Sequence, residues 1–268
     1  ADYGERYGIT QRPISIKDLR YISVLHSWLR GFGWIIKVLT HLIAGVTRKW
    51  SYLSKPEGDM VKSAKRKLQV YIHKKTYIRF DMPSGGTSST GTSTTGPVVK
   101  KLFSSKCRFL LVDLIKERKA RNNALKLITN FSNILRIIST TKKIAVDKLE
   151  ETCKDLRFFF NKTYKNVQFT PTVHKLLAHC ANCIRLNDGY GLGFIAEDGL
   201  EGNHKELRRA ALYHSRKTSA ENHQHDIFRR LWIQSDPHIR TLKRNIKLRE
   251  KKNVKDDEDE IFVKSFIM

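Results

Sequence analysis

Acidic residues are scarce in this sequence: 26 Asp and Glu stand against 51 Lys and Arg over 268 residues, leaving a formal charge of +25. A compact body this basic repels itself unless it meets a polyanion, and nucleic acid is the common polyanion inside cells. Ribosomal proteins and binders of anionic membranes share the composition. The few acids are also unevenly placed, with one cluster from Asp256 to Glu260. Cysteine is scarce too. Four cysteines and no signal-peptide pattern at the start exclude a disulfide framework and point to a reducing compartment. A long uninterrupted apolar run is missing: the nearest approach, Val24 to Val46, contains His26, Arg30, Lys37 and His41. It reads as a buried helix and not as a membrane span. No repeat recurs at a solenoid period. What is present is a hydrophobic fraction of 40%, enough for a core and against wholesale disorder. The length suits one large domain or two small ones. The first residue is Ala, not Met, which reads as a fragment, a processed product or a partial gene model.

Strand patterns are few and helical ones many. After a lead-in with Gly4, Gly8 and Pro13, an apolar stripe runs through Leu25, Trp28, Leu29, Phe32, Ile35, Ile36, Leu39, Leu42, Ile43 and Val46. Gly31 and Gly33 weaken it and permit close packing or a kink. A very basic helix is expected from about Asp59 to Tyr77, with Met60, Ala64, Leu68, Tyr71 and Ile72 inward and its lysines solvated. Residues 83–97, PSGGTSSTGTSTTGP, cannot bury much area and read as a loop. It is either a flexible linker or, with Lys100 and Lys101 following at once, a phosphate-contacting loop. Helical patterns return at Cys107 to Arg118, Asn123 to Ile138 and Asp147 to Phe160. Thr170-Pro171 supplies an N-cap and first-turn proline for a helix ending before Asp188-Gly189. A last long helix is expected from Ala196–Gly199 through Arg209 towards Lys217, and residues 221–250 look helical and basic.

Chemistry-bearing residues concentrate between His174 and Glu201. His174 and His179 have a spacing that zinc sites use, yet a five-residue step turns a helix by about 140°, so one metal could take both only at a helix end or bend. Cys180 and Cys183 follow as C-x2-C and would complete a local four-ligand zinc module. One helix cannot easily wrap four ligands around one ion, and spacing alone favours core histidines. Glu201, with Lys205 and Arg208 on the following turns, is either half of a surface ion pair or a Mg²⁺ ligand beside phosphate-holding cations.

Five blocks in order, between about residues 25 and 240, carry a resemblance. PTVHKLLAH at 171–179 resembles a signature of the Transib transposases and, more loosely, the catalytic subunit of the RAG recombinase of V(D)J recombination. AEDGLEGNHKELRR resembles the family segment that carries the last acidic metal ligand. YHSRKTSAENHQHDIFRRLWIQSDPHI is similar to the stretch beyond it. LHSWLRGFGWIIKVLTHL resembles the family's L-H-x-x-x-R helix, and FDMPSGGTSSTGTSTTGPVVKKLF its glycine/threonine loop.

The resemblance implies an RNase H-like, DDE-type nuclease that cleaves and joins DNA at element ends with two Asp and one Glu around Mg²⁺ or Mn²⁺. It implies a nuclear protein that binds double-stranded DNA, forms a homodimer and works with an accessory subunit, away from membranes. Glu201 matches the third acidic ligand. His174 and His179 match the histidine half of a Zn²⁺ site, Lys100 and Lys101 a basic pair lying against DNA, and Arg216 and Lys217 a further basic pair. His26 matches a family histidine of open role. Both catalytic aspartates and the zinc cysteine pair are placed before residue 1: Asp2 and Asp18 match no motif, and no cysteine precedes Cys107. Three positions depart from the family. Gly96-Pro97 stands where it has G-N, so an N–H and an amide are lost to DNA; Gly33 stands where it has an acid, and His204 where it has Asn.

The expected fold is mainly α: the C-terminal helical part of an RNase H-like recombinase with the histidine half of a zinc-binding region. An irregular lead-in spans 1–17, and a helical zinc-region insertion containing the loop spans 18–187. A catalytic helix follows over 188–217, then a basic region over 218–250 and a mobile acidic tail over 251–268. The alternative to an enzyme is a DNA-binding remnant of a decayed or domesticated transposase.

Overall fold

A computed structural model describes residues 22–46, 53–80, 94–165, 167–196, 207–239, 241–242 and 258–268. The expected lead-in, most of the Gly/Ser/Thr loop, and Glu201 with Glu197, Asp198, His204 and Lys205 lie outside the described residues. The described chain is mainly helical, and none of its residues forms a named strand. No described helix is long and apolar enough to cross a membrane. Two compact units divide the chain, residues 1–196 with 258–268 and residues 197–257.

The first unit is built around helix α1, Val24–Ala44. Ser23 caps its start by accepting the His26 N–H, and Gly45 closes its end at φ 68°, where a side chain would be strained. The stripe expected on α1 is only part of its buried surface, because Trp34 and Val38 on the other side are also buried. A helix apolar on most of its circumference must be covered on several sides. It is: α2 (Lys55–Thr76), α3 (Gly96–Leu102), α5 (Arg118–Ile138) and α7 (Pro171–Arg185) all pack against α1. Trp34 makes ring contacts with Phe131, Phe160 and Phe169 at 4.8–5.6 Å, and its indole N–H donates to the Gln168 carbonyl at 3.2 Å. Gly31 is what lets α5 approach, since a Cβ there would stand 2.5 Å from the Phe131 ring.

On α2, Ala64, Leu68 and Ile72 are buried as expected, whereas Met60 at the edge of that stripe is half exposed. Pro56 stands in the first turn and the Glu57 carboxylate accepts the Ser54 N–H at 2.8 Å. Helix α4, Ser105–Val112, stops short of the single helix expected to Arg118. The break before α5 is held by Arg121, whose Nε and Nη2 both donate to the Ile115 carbonyl at 2.9 and 2.7 Å. Helix α6, Val146–Thr163, pairs with α7, and Arg185 at the end of α7 reaches Asp147 and Glu150 of α6 at 2.6 Å each.

Two expectations about domain ends are corrected. Residues 188–196 belong to the first unit, ending in a short 3₁₀ turn, Leu192–Ile195, with Leu192 buried. The tail is not mobile throughout either. Helix α9, Glu258–Lys264, precedes a buried Phe266, and both belong to the same unit. Residues 142–145 are clamped between these pieces. Ile144 N–H donates to Gly189 O and Gly191 N–H to Lys142 O on one side; Ala145 N–H donates to Phe266 O and Met268 N–H to Lys143 O on the other. The local arrangement demands small residues, for a Cβ on Gly191 or Gly193 would fall 2.3 or 2.1 Å from the carbonyl oxygens of Thr140 and Ser139. Phe266 supplies the reason for burial that the acidic run before it conceals.

Two histidines are expected to give the first unit a pH response. Burial holds His41 below its ordinary range, although the ring also contacts the Lys37 carbonyl at 3.2 Å. Burial, then the charges of His174, Arg157 and Lys175, do the same to His179. A histidine with a lower pKa folded than unfolded binds protons more readily in the unfolded chain, so stability is complete above the unfolded value and declines as pH falls below about 6.5. Thermal midpoints measured between neutral pH and pH near 5 are expected to decrease, and His41→Gln is expected to flatten that decrease. A profile in the variant as steep as in the parent would rule out His41 as its source.

Candidate nucleic-acid interface

Lys100 and Lys101 stand on α3, and the sequence explains how they are presented. Gly96 and Pro97, read as the end of the loop, open this helix instead, with proline at a first-turn position where its missing N–H costs nothing. Gly96 is buried, and a Cβ there would meet Leu25 at 2.8 Å. Val99, Leu102 and Phe103 are wholly buried, with Phe103 set edge-on to Phe32 at 5.6 Å. One face of α3 is therefore fixed in the core, and the two lysines occupy its exposed side. Lys100 Nζ lies 5.6 Å from the centroid of the Trp28 ring, which orients the ammonium without neutralising it. Neither lysine forms an ion pair among the described residues.

His174 and His179 come together despite the angular separation expected of them. Their ring centroids are 5.5 Å apart and nearly perpendicular, at 80°. His174 sits in the first turn of α7, where the Thr170 cap and Pro171 begin the helix. Helical side chains lean towards the N-terminus, which carries the His179 ring back along the axis. Tetrahedral zinc with Zn–N bonds of about 2.0–2.1 Å would set two coordinating rings roughly 5 Å apart, so the pair has the spacing of half a zinc site. The lowered pKa of His179 favours the neutral imidazole that a metal takes. No third His, Cys, Asp or Glu joins them among the described residues.

The C-x2-C that would have completed a local zinc module is sunk into the core. Cys180 and Cys183 are buried in the core between α6 and α7, and Cys180 Sγ lies 3.7 Å from Cys153 Sγ. The Cys153 thiol and burial hold Cys180 well above the ordinary thiol range, and burial pushes Cys183 up to about 11. The two thiols thus belong to the core, whereas His174 is exposed and His179 half-buried. That separation agrees with the reading that one helix does not wrap four ligands around one ion.

No protein-family model matches the chain, and none of the curated proteins matches it. The site therefore rests on residues and their placement.

In the second unit, residues 207–213 are helical and the helix ends before Arg216 and Lys217, not at them. These two lie in the connection to α8, Ala220–Ser235, which begins at the Ser219 cap. Arg216 is held by Asp226 of α8: its Nε and Nη2 donate to the carboxylate at 3.0 Å each, and its backbone N–H at 2.9 Å. The Arg216 guanidinium keeps the Asp226 carboxyl down at about 2. Lys217 is exposed beside it. Sequence reading paired the two cations as equals, whereas the structure gives Arg216 an internal partner. His26, left without a role, is exposed on α1 with Nδ1 2.8 Å from Ser23 Oγ.

Proposed function

We propose that this chain is the DNA-engaging C-terminal part of a RAG/Transib-like recombinase or transposase, which cleaves and joins double-stranded DNA by metal-assisted phosphodiester attack. The observation that carries the reading is the Lys100–Lys101 pair, displayed on a helix whose other side is locked into the core. Fixed cations lose little freedom on meeting phosphates, and among the described residues this pair has no carboxylate to give up first. The half-zinc geometry of His174 and His179 supports the same reading, with Zn²⁺ completed by cysteines from elsewhere in the polypeptide.

In this mechanism Lys100, Lys101 and Lys217 hold the DNA backbone, and Arg216 positions the start of α8 through Asp226. Glu201 is the residue of this chain that would hold Mg²⁺ or Mn²⁺, beside two aspartates that the resemblance places before residue 1. The ion supplies activation of the attacking oxygen and stabilisation of the leaving one. The protein acts in the nucleus as a homodimer with an accessory subunit.

The test is duplex binding by the purified chain, followed by fluorescence anisotropy between about 50 and 200 mM salt. Affinity is expected to fall steeply with salt, and Lys100→Gln with Lys101→Gln to reduce the slope of log K against log salt by roughly one per lost contact. Binding that ignores salt, or fails altogether, would overturn the reading.

A further inference from the structure

We infer that the outward face of α2 is a second phosphate-binding surface, one that follows the backbone of duplex DNA; this rests on the DNA-binding reading above. Helix α2 turns Ala64, Leu68 and Ile72 into the core. At 100° per residue, Lys62, Arg66, Lys67 and Lys74 fall on the opposite side, and all of them are exposed. Val70 and Tyr77 lie among them, 61% and 86% exposed.

The distribution of carboxylates separates this face from an ordinary solvated one. Exposed helices commonly interleave acids with bases three or four residues apart, because such pairs favour the helix. Here Glu57 and Asp59 are confined to the opening turns, where Glu57 caps Ser54 and Asp59 meets Lys62 at 3.1 Å. From Met60 to Phe80 there is no Asp or Glu, while Lys62, Lys65, Arg66, Lys67, Lys74, Lys75 and Arg79 accumulate. Asp113, at the end of α4, accepts the Tyr71 hydroxyl at the flank. Like charges held along one rigid face repel one another, and an external polyanion relieves that cost.

Length and apolarity choose among polyanions. Lys62 to Lys74 spans about 18 Å at 1.5 Å per residue, long enough to meet several phosphates of one duplex. A membrane-surface helix needs an apolar face to sink between headgroups. The apolar side of α2 is already buried against α1, and the apolar residues left outside, Met60, Val70 and Tyr77, are scattered along its length. The Tyr77 hydroxyl adds a phosphate donor at the end of the row.

The experiment compares the full chain with a Lys62→Gln, Arg66→Gln, Lys74→Gln variant, since glutamine retains helix propensity. Far-UV circular dichroism and the thermal midpoint confirm that the variant folds. Duplex affinity is titrated against salt, with phosphatidylserine vesicles as a separate arm. The variant is expected to shrink the slope of log K against log salt by about 2.7, from three lost contacts at about 0.9 each. An unchanged slope in a folded variant, with the parent still binding DNA, would overturn this surface and leave the Lys100–Lys101 reading intact. A parent chain that binds neither DNA nor vesicles, or vesicles alone, would overturn both.

Discussion

Replacing Glu201 with Gln is expected to lower DNA cleavage by at least about 10²–10³-fold while leaving duplex affinity unchanged. The substitution preserves size and removes one negative charge. A hard divalent ion depends on that charge, since oxygen ligands bind it chiefly through their anionic character. In the proposed mechanism, binding to DNA depends on the opposite sign, supplied by lysines elsewhere. The two properties therefore separate cleanly. Cleavage is measured on a nicked or blunt element-end duplex, using this chain joined to polypeptide that carries the two aspartates. Equal cleavage by parent and variant would remove Glu201 from the mechanism and favour a chain that binds DNA without cutting it.

The largest effect on stability is expected at Trp34. It is almost completely buried, touches Phe131, Phe160 and Phe169, and ties α1 to the approach of α7 through the Gln168 carbonyl. Trp34→Ala removes a large apolar surface and leaves that carbonyl without its donor. Buried aromatic-to-alanine changes cost about 3–5 kcal/mol. For a unit of this size each kcal/mol shifts the midpoint by roughly 2–4 °C, so a fall on the order of 10 °C is expected by calorimetry. A change of only a degree or two would show that α1 is not the centre of the core. The residue was missed by a stripe-based reading, which took Trp28, Phe32 and Ile35 as the buried face and left the far side of the helix unassigned.

That case shows what was legible in the sequence and what was not. Helical type followed from periodicity, and the cap at Thr170 fixed where α7 begins, because capping chemistry is local. The start expected near Asp59 lies inside α2, which opens at Lys55 after the Ser54 cap. Phase relations between neighbouring side chains were less accessible. His174 and His179, expected on different sides, converge at 5.5 Å, while His179 and the adjacent Cys180 part company. The first outcome depends on the lean of side chains along α7, and the second on which side of α7 packs against α6. Arg216 illustrates a third kind of gap: its partner Asp226 lies ten residues on and beyond a turn, outside any helical spacing rule. The cationic face of α2 was visible as composition. Its meaning depended on knowing which side of the helix the core had claimed.

The clamp on residues 142–145 fastens residues 266–268 to the interior of the first unit. Tyr190 and Ile267 flank this short segment as antiparallel bridge partners of Lys143 and Ile144. Three stretches far apart in sequence therefore meet at these four residues, and they are joined by main-chain hydrogen bonds that survive a change of side chain at Lys142 or Lys143.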